Sequence, residues 1–218
     1  MLIVEEKPKS IAAEAYRTLR TNIQYSSFDK EIKTIVITSS EPDEGKTTTA
    51  SNLALSFAQA EKKVILIDCD LRKPSIHKIF KISNLAGLSG VLIGKDKIGE
   101  AINRYNENLH ILTAGKLPPN PSEMLGSKAM ERFLEELRDR YEIIILDSAP
   151  LQVVTDAQVL STKADGTILV VRAEETKRDS VQQAKALLDK VNANILGTVL
   201  NGIENIRSKY YYYYGNEE

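Results

Sequence analysis

Six apolar runs recur along the chain: "KTIVITS", "KKVILIDCD", "LHILTAG", "YEIIILDSAP", "GTILVVRAE" and "ILGTVLNGI". They are rich in Ile, Val and Leu and lack a regular polar alternation, the pattern of strands covered on both faces of a parallel sheet. Between them the apolar positions take helical spacing over Thr47–Glu61, Ser127–Tyr141, Asp156–Lys163 and Lys177–Asn192. Strand and helix patterns in alternation predict an α/β fold with a doubly wound, mostly parallel sheet. Ser10–Tyr25 lies ahead of the first strand and predicts an additional helix. The closing stretch "NIRSKYYYYYGNEE" follows neither period and is expected to be a mobile tail. The expected division is one domain over residues 1–204, with the N-terminal helix at about 10–26, and a tail over 205–218.

The first predicted strand, Thr34–Thr38, runs into "SSEPDEGKTTTA" and then into a helix. This approximates G-x-x-x-x-G-K-[ST], with Ser40 in the place of the first glycine and Gly45, Lys46 and Thr47 as the pattern requires. A bare Gly-Lys-Thr is a weak signal; between a buried strand and a helix it is a strong one. Loop amides and a helix N-terminus attract phosphate oxygens, and glycine lets the backbone come close. Lys46 is expected to reach the β and γ phosphates and the Thr47 hydroxyl to ligate Mg²⁺. Ser40, Pro42, Asp43, Glu44, Gly45, Lys46, Thr47 and Thr48 are the candidate nucleotide-binding residues.

Carboxylates stand at the ends of two further strands. Val64–Ile67 runs into "DCD", placing Asp68 and Asp70 two apart, and Ile143–Leu146 runs into Asp147. Ligands of open α/β sheets bind at this carboxyl edge. The three carboxylates and Thr47 are therefore expected to converge on one Mg-nucleotide, with Asp147, Asp70 and Thr47 on the metal side.

Composition narrows the class. The chain has 218 residues, 42% hydrophobic and 27% charged, with a formal net charge of -1. That suffices for one sizeable core and gives no global attraction to nucleic acid or to a membrane surface. Cys69 is the sole cysteine, so an intramolecular disulfide and a cysteine-built metal site are both excluded. No apolar stretch approaches the roughly 18 residues of a membrane span, and "MLIVEEKPKS" is too short and charged for a secretory signal. A cytosolic chain is expected, held at a membrane only by something else. His77 and His110 stand alone, without metal-ligand spacing.

The loop with "GKT", the strand ending in "DCD" and the later "DSAP" together resemble the bacterial P-loop protein-tyrosine kinases. The resemblance runs from "EAYRTLRTNI" to the tyrosine tail. It is strongest to the stand-alone cytoplasmic kinase of two-protein capsule and exopolysaccharide systems, whose fold is that of the partition and division-site ATPases. It implies catalytic roles for Lys46, Asp68, Asp70 and Asp147. Asp68 would take the proton of the attacking phenol, whose ordinary pKa is about 10, and Asp70 would help to hold Mg²⁺; the exchange of those two roles stays open.

Tyr210, Tyr211, Tyr212, Tyr213 and Tyr214 match the family's autophosphorylated cluster. Glu14, Arg17 and Arg20, spaced by three, match its oligomerisation motif, although spacing alone allows a surface salt-bridge ladder. The implied partners are a separate transmembrane activator that recruits the kinase to the inner face of the membrane, other copies of the chain in a ring-like homo-oligomer, a tyrosine phosphatase and further phosphorylated proteins. Asn201 is expected to read the adenine edge or to cap a strand end. Arg72 and Lys73 are expected at phosphates, at a neighbour or in solvent, and Asp156 near the γ-phosphate. "LPPNPSEML" also looks like a family feature, with no role assigned.

Two departures stand out. Asp43 occupies a position where the family commonly has glycine, but Asp tolerates a left-handed backbone. Glu41 stands where partition ATPases carry a second lysine, which counts against the competing reading of a switch ATPase without kinase activity.

Overall fold

The computed structural model describes residues 2–26 and 31–203. The tyrosine cluster lies outside the described residues. Among them the helices are α1 (Ile3–Glu6), α2 (Ile11–Gln24), α3 (Lys46–Ala58), α4 (Ile76–Phe80), α5 (Leu88–Leu92), α6 (Ile98–Ala101), α7 (Pro121–Gly126), α8 (Lys128–Arg138), α9 (Asp156–Ser161) and α10 (Arg178–Lys190). The strands are β1 (Thr34–Ser39), β2 (Val64–Asp68), β3 (Ile102–Arg104), β4 (Leu109–Leu112), β5 (Ile143–Asp147), β6 (Gly166–Arg172) and β7 (Ile195–Asn201). They form one sheet in the order β3-β4-β2-β5-β1-β6-β7. All neighbours are parallel except β3 and β4.

Successive strand residues point to opposite faces, and both faces are covered. Ile35, Ile37, Val64, Leu66, Ile143 and Ile145 join Leu53 and Phe57 of α3 in one core. Their neighbours Val36, Ile65, Ile67, Ile144 and Leu146 join Leu134 and Leu137 of α8 in another. This explains the unbroken apolar runs of β1, β2 and β5. Strand β7 departs from that expectation. It is an edge strand, only partly buried along its length, with Leu200 exposed. The three residues of β3 and the short helices α4–α7 are too brief to carry a periodic signal.

Helix α3 follows the phosphate-binding sequence and is buried nearly throughout. Its Ala, Ser and Thr positions let α1 and α2 pack close on its outer side. Helix α2 begins at Ser10, whose hydroxyl accepts the Ala13 N–H at 3.1 Å, an N-cap. Glu14 and Arg17 pair within this helix at 2.9 Å on its exposed side. Arg20 instead ties α2 to α3: its Nη1 donates to the Ser56 carbonyl at 2.7 Å, while its buried Nε has no hydrogen-bond partner. No described helix is long and apolar enough to cross a membrane.

Asp165 anchors the entry to β1. One carboxylate oxygen accepts the N–H groups of Lys33 and Thr34 at 3.1 and 2.8 Å, and the other accepts Arg138 Nη2 at 3.0 Å. Burial opposes its charge, but these donors outweigh burial and hold its pKa below the usual carboxylate value. A depressed folded-state pKa contributes stability that is present above the unfolded value of about 3.9 and lost as pH falls through the folded one. Asp165→Ala is expected to cost about 2–4 kcal/mol at pH 7. In denaturant titrations the gap from the parent protein should narrow as pH falls below 4; a gap that does not change with pH would refute the assignment.

Candidate active site

Strands β1, β2 and β5 deliver the site at the carboxyl edge of the sheet. The phosphate loop leaves β1, turns at Asp43 with φ +62° and at Gly45 with φ +92°, and enters α3 at Lys46. The expected tolerance of Asp43 for a left-handed backbone is realised, with its side chain exposed at the crown beside Pro42. Gly45 is required twice, by its φ and because a Cβ there would lie 2.0 Å from Asn201 Nδ2. Replacing Asp43 by glycine keeps the turn and removes a negative charge near the phosphates. ATP affinity is then expected to rise by about two- to fivefold, as read by titration with a fluorescent ATP analogue.

The loop is braced by residues that follow β6 and end β7. Glu44 is buried, and its carboxylate accepts the Glu41 N–H at 2.8 Å and the Thr176 hydroxyl. Ser180 donates to the Glu41 carboxylate at 2.5 Å. Asn201, at the end of β7, donates from Nδ2 to the Glu44 carbonyl at 3.0 Å. The side chains of Glu44 and Asn201, both expected at the nucleotide, are thus engaged in holding the loop. Ser40 is buried with no partner for its hydroxyl, and Thr48 sits in the first turn of α3, its carbonyl accepting Asn52 Nδ2.

Lys46 Nζ lies 3.2 Å from Asp70 Oδ2, with its side chain 12% exposed. Burial disfavours its charge, but Asp147, Asp70 and Asp68 outweigh burial and raise its pKa. The Thr47 hydroxyl lies 3.4 Å from Lys46 Nζ and accepts the Ser75 hydroxyl at 3.0 Å. Asp147 is fully buried, and among the described residues neither carboxylate oxygen has a partner in good hydrogen-bond geometry. Burial pushes its pKa up to about 6, against the pull of Lys46 and Thr47.

The two aspartates after β2 differ. Asp68 is committed to backbone: one oxygen accepts the Asp70 N–H at 3.2 Å, the other the Ser75 and Ile76 N–H groups, each at 3.0 Å. Burial, then the charge of Asp147, pushes its pKa up to about 8. Asp70 accepts the Arg72 and Lys73 N–H groups on Oδ1 at 3.3 and 2.9 Å, leaving Oδ2 to Lys46. Among the described residues no three His, Cys, Asp or Glu side chains are arranged to hold a metal ion. The three carboxylates gather around Lys46 as expected, but in this ligand-free arrangement Asp68 is taken by backbone N–H groups and Asp70 Oδ2 by Lys46. The oxygens that fit a hard cation are those of Asp147, buried and unpartnered, and of Thr47, so phosphate and water must complete any coordination shell.

Arg72 does not face the phosphate loop freely. It makes a forked pair with the buried Asp156, from Nε at 2.9 Å and Nη2 at 3.2 Å, and Nη2 also donates to Ser122 Oγ at 3.1 Å. Ser122 in turn donates to Asp156. Asp156, expected near the γ-phosphate, is thus paired with Arg72 in the ligand-free arrangement, and "LPPNPSEML" is anchored next to the turn after β2. Lys73 contributes its backbone N–H to Asp70. His110 Nδ1 lies 2.7 Å from the Tyr141 hydroxyl, away from the site, and His77 Nδ1 is buried without a partner.

Ser75, Thr176 and Ser180 stand outside every motif of the sequence and lie far along the chain from the hydroxyl or carboxylate their side chains meet, while Ser122 lies within "LPPNPSEML" and its contact gives that segment a role.

Residues 32–200 match a family described as an AAA domain. Over its full length the chain is 43% identical to 92% of tyrosine-protein kinase YwqD of Bacillus subtilis strain 168. Among solved structures, the chimerical protein CapA2B2 superposes with a TM-score of 0.91 at 40% identity, covering 94% of this chain and 90% of that one. The septum site-determining protein MinD of Pyrococcus horikoshii, complexed with Mg-ADP, superposes at 0.66 and 25% identity over 81% of this chain and 72% of its own.

Proposed function

The chain belongs to the bacterial P-loop protein-tyrosine kinases, and we propose that it phosphorylates Tyr210–Tyr214 at the C-terminus of a neighbouring copy. The observation that carries this reading is the buried Asp147 carboxylate, which lies beside Lys46 and Thr47 with no partner in good hydrogen-bond geometry among the described residues. A charge buried without hydrogen bonds is costly and is retained where a ligand satisfies it.

Loop amides and the α3 N-terminus take the phosphates, and Lys46 exchanges Asp70 for the β and γ oxygens. Thr47 and Asp147 would hold Mg²⁺, whose charge neutralises the triphosphate during transfer. The departure of Lys46 frees Asp70 Oδ2, the one oxygen of the "DCD" pair with no backbone bond. The base role therefore goes to Asp70, while Asp68 orders the turn through Ser75 and Ile76. The phenol proton passes to that carboxylate as the tyrosine oxygen bonds to the γ phosphorus and the bond to the bridging oxygen breaks, releasing ADP.

Strand β7 ends beside the phosphate loop, on the side of the sheet away from β2. A tyrosine reaching its own Asp70 must cross its own nucleotide, whereas one from a neighbour approaches from the open side. From Ile203 to Tyr210 the extended chain spans about 25 Å at most, enough to bridge adjacent copies. Glu14, Arg17 and Arg20 of α2 would meet the same motif of a neighbour, with Glu14 the exposed member of the three. Each phosphate adds about -1.5 to -2 charges, so a phosphorylated cluster repels itself and loosens a ring-like assembly. A separate transmembrane activator would bring the kinase to the membrane for capsular or exopolysaccharide synthesis and export, and a tyrosine phosphatase would reset the tail. Domain limits of 1–204 and 205–218 fit this division between enzyme and acceptor.

Mixing tests transfer between copies. Inactive Lys46→Met protein with an intact tail is incubated with active protein truncated after Ile203. Phosphate on the inactive partner's tail supports transfer in trans; an unmodified tail in this mixture, while the intact active protein still phosphorylates itself, refutes it.

A further inference from the structure

An open groove of about 680 Å³ lies at the carboxyl end of β4, outside the site described above. Leu85, Ile93 and Leu117 line it and are 79%, 65% and 59% exposed, with Pro118, Pro119 and Met124 completing the apolar wall. Large apolar side chains gathered in one exposed groove mark a surface awaiting a partner. Lys95 and Lys116 sit on its rim, and neither makes an ion pair with a described residue. Asp96, also in the lining, is occupied by the Gly87 N–H at 3.1 Å.

The position of the groove is informative. Strand β4 adjoins β2, so the groove opens at the same sheet edge as Asp68 and Asp70, one strand further from the phosphate loop. Its wall, residues 117–124, is tied to the turn after β2 by Ser122, which bonds both Asp156 and Arg72. Arg72 lies two residues from Asp70, and its N–H donates to that carboxylate. Groove, Asp70 and phosphate loop therefore follow one another across the top of the sheet.

We propose that this groove docks the C-terminal tyrosine tail of a second copy of the chain, so that one phenol sits at Asp70 while the flanking residues lie in the groove. The inference rests on the reading of that tail as the phosphoryl acceptor. Three features select this occupant. Consecutive tyrosines present flat amphipathic rings that pack on proline, leucine and methionine. The tail ends "GNEE", and Glu217 and Glu218 complement Lys95 and Lys116. The chain's own tail starts at β7, five strands from β4, a separation of about 24 Å at about 4.8 Å per strand. To place a phenol at Asp70 and also fill its own groove, that tail would have to cross the bound nucleotide.

The test uses the full chain with its five tail tyrosines replaced by Phe and, as acceptor, a synthetic peptide of residues 204–218. Leu117→Glu and Ile93→Glu change exposed side chains outside the nucleotide site. The inference expects the KM for peptide to rise about tenfold or more in each, with kcat and ATP affinity within about twofold of the parent. A peptide carrying a photoreactive phenylalanine in place of Tyr212 should crosslink to residues 85–96 or 116–124. Phosphorylation with unchanged KM, or crosslinks confined elsewhere, overturns the groove and leaves the kinase reading intact. No phosphorylation of peptide or native tail, with ATP still bound, overturns the tail as acceptor and the groove with it.

Discussion

Lys46→Met is expected to lower tail phosphorylation by about 10²–10³-fold or more, the scale on which losing one preorganised charge-stabilising donor acts. Lys46 brings the positive charge that the phosphate loop itself supplies, into a cluster of three carboxylates. In the ligand-free arrangement its ammonium rests on Asp70 at 3.2 Å. Methionine fills similar space with an adaptable apolar chain, so the effect reports charge rather than collapse of the loop. Without the cation, the buried carboxylate of Asp147 loses the Lys46 charge that offsets its burial. Quantified phosphotyrosine per chain is the readout, with circular dichroism as the folding control. Near-parental activity in a folded Lys46→Met protein would remove Lys46 from the mechanism.

Asp147→Asn should separate activity from stability. Asp147 is buried at the end of the central strand β5, and among the described residues neither oxygen has a partner in good hydrogen-bond geometry. In the ligand-free protein its charge is a cost, which burial expresses as a pKa raised to about 6. The amide is nearly isosteric and neutral, so the ligand-free variant is expected to be more stable by about 1 kcal/mol, or about 2–4 °C in Tm for a domain of this size. Phosphoryl transfer should fall by about 10²-fold or more, because an amide cannot replace a carboxylate toward a divalent cation. Mg-ATP should accordingly raise the Tm of the parent more than that of the variant. A variant that is both less stable and still active would show that Asp147 serves the fold and not the ligand.

The parts of this molecule legible in the sequence are those fixed by local chemistry. The apolar runs of β1, β2 and β5 and the Gly-Lys-Thr between strand and helix are contiguous, and each has one physical reading. Asp43 was also legible, because its left-handed turn depends on that residue alone. What escaped depends on partners distant along the chain. Asp68 and Asp70 look alike two positions apart; only the return of the chain at Ser75 and Ile76 commits Asp68 to backbone and leaves Asp70 facing Lys46. Glu44 reads as a phosphate-loop residue until Thr176, 132 positions later, takes its carboxylate. Arg20 belongs to a spacing that suggests a partner subunit, yet its guanidinium meets Ser56 of its own chain. Strand β7 carries the same apolar signature as the central strands and still lies at the edge, because pairing order is set by the whole sheet.

The central claim is that this nucleotide site transfers phosphate to the tyrosines at positions 210–214. Its most direct test is mass spectrometry of the C-terminal peptide after incubating the protein with Mg-ATP, with the cytoplasmic segment of a candidate transmembrane activator present or absent and Lys46→Met as control. The account predicts phosphate on Tyr210–Tyr214 in the active protein and none in the variant. Steady release of ADP with the tail unmodified under every condition would contradict it.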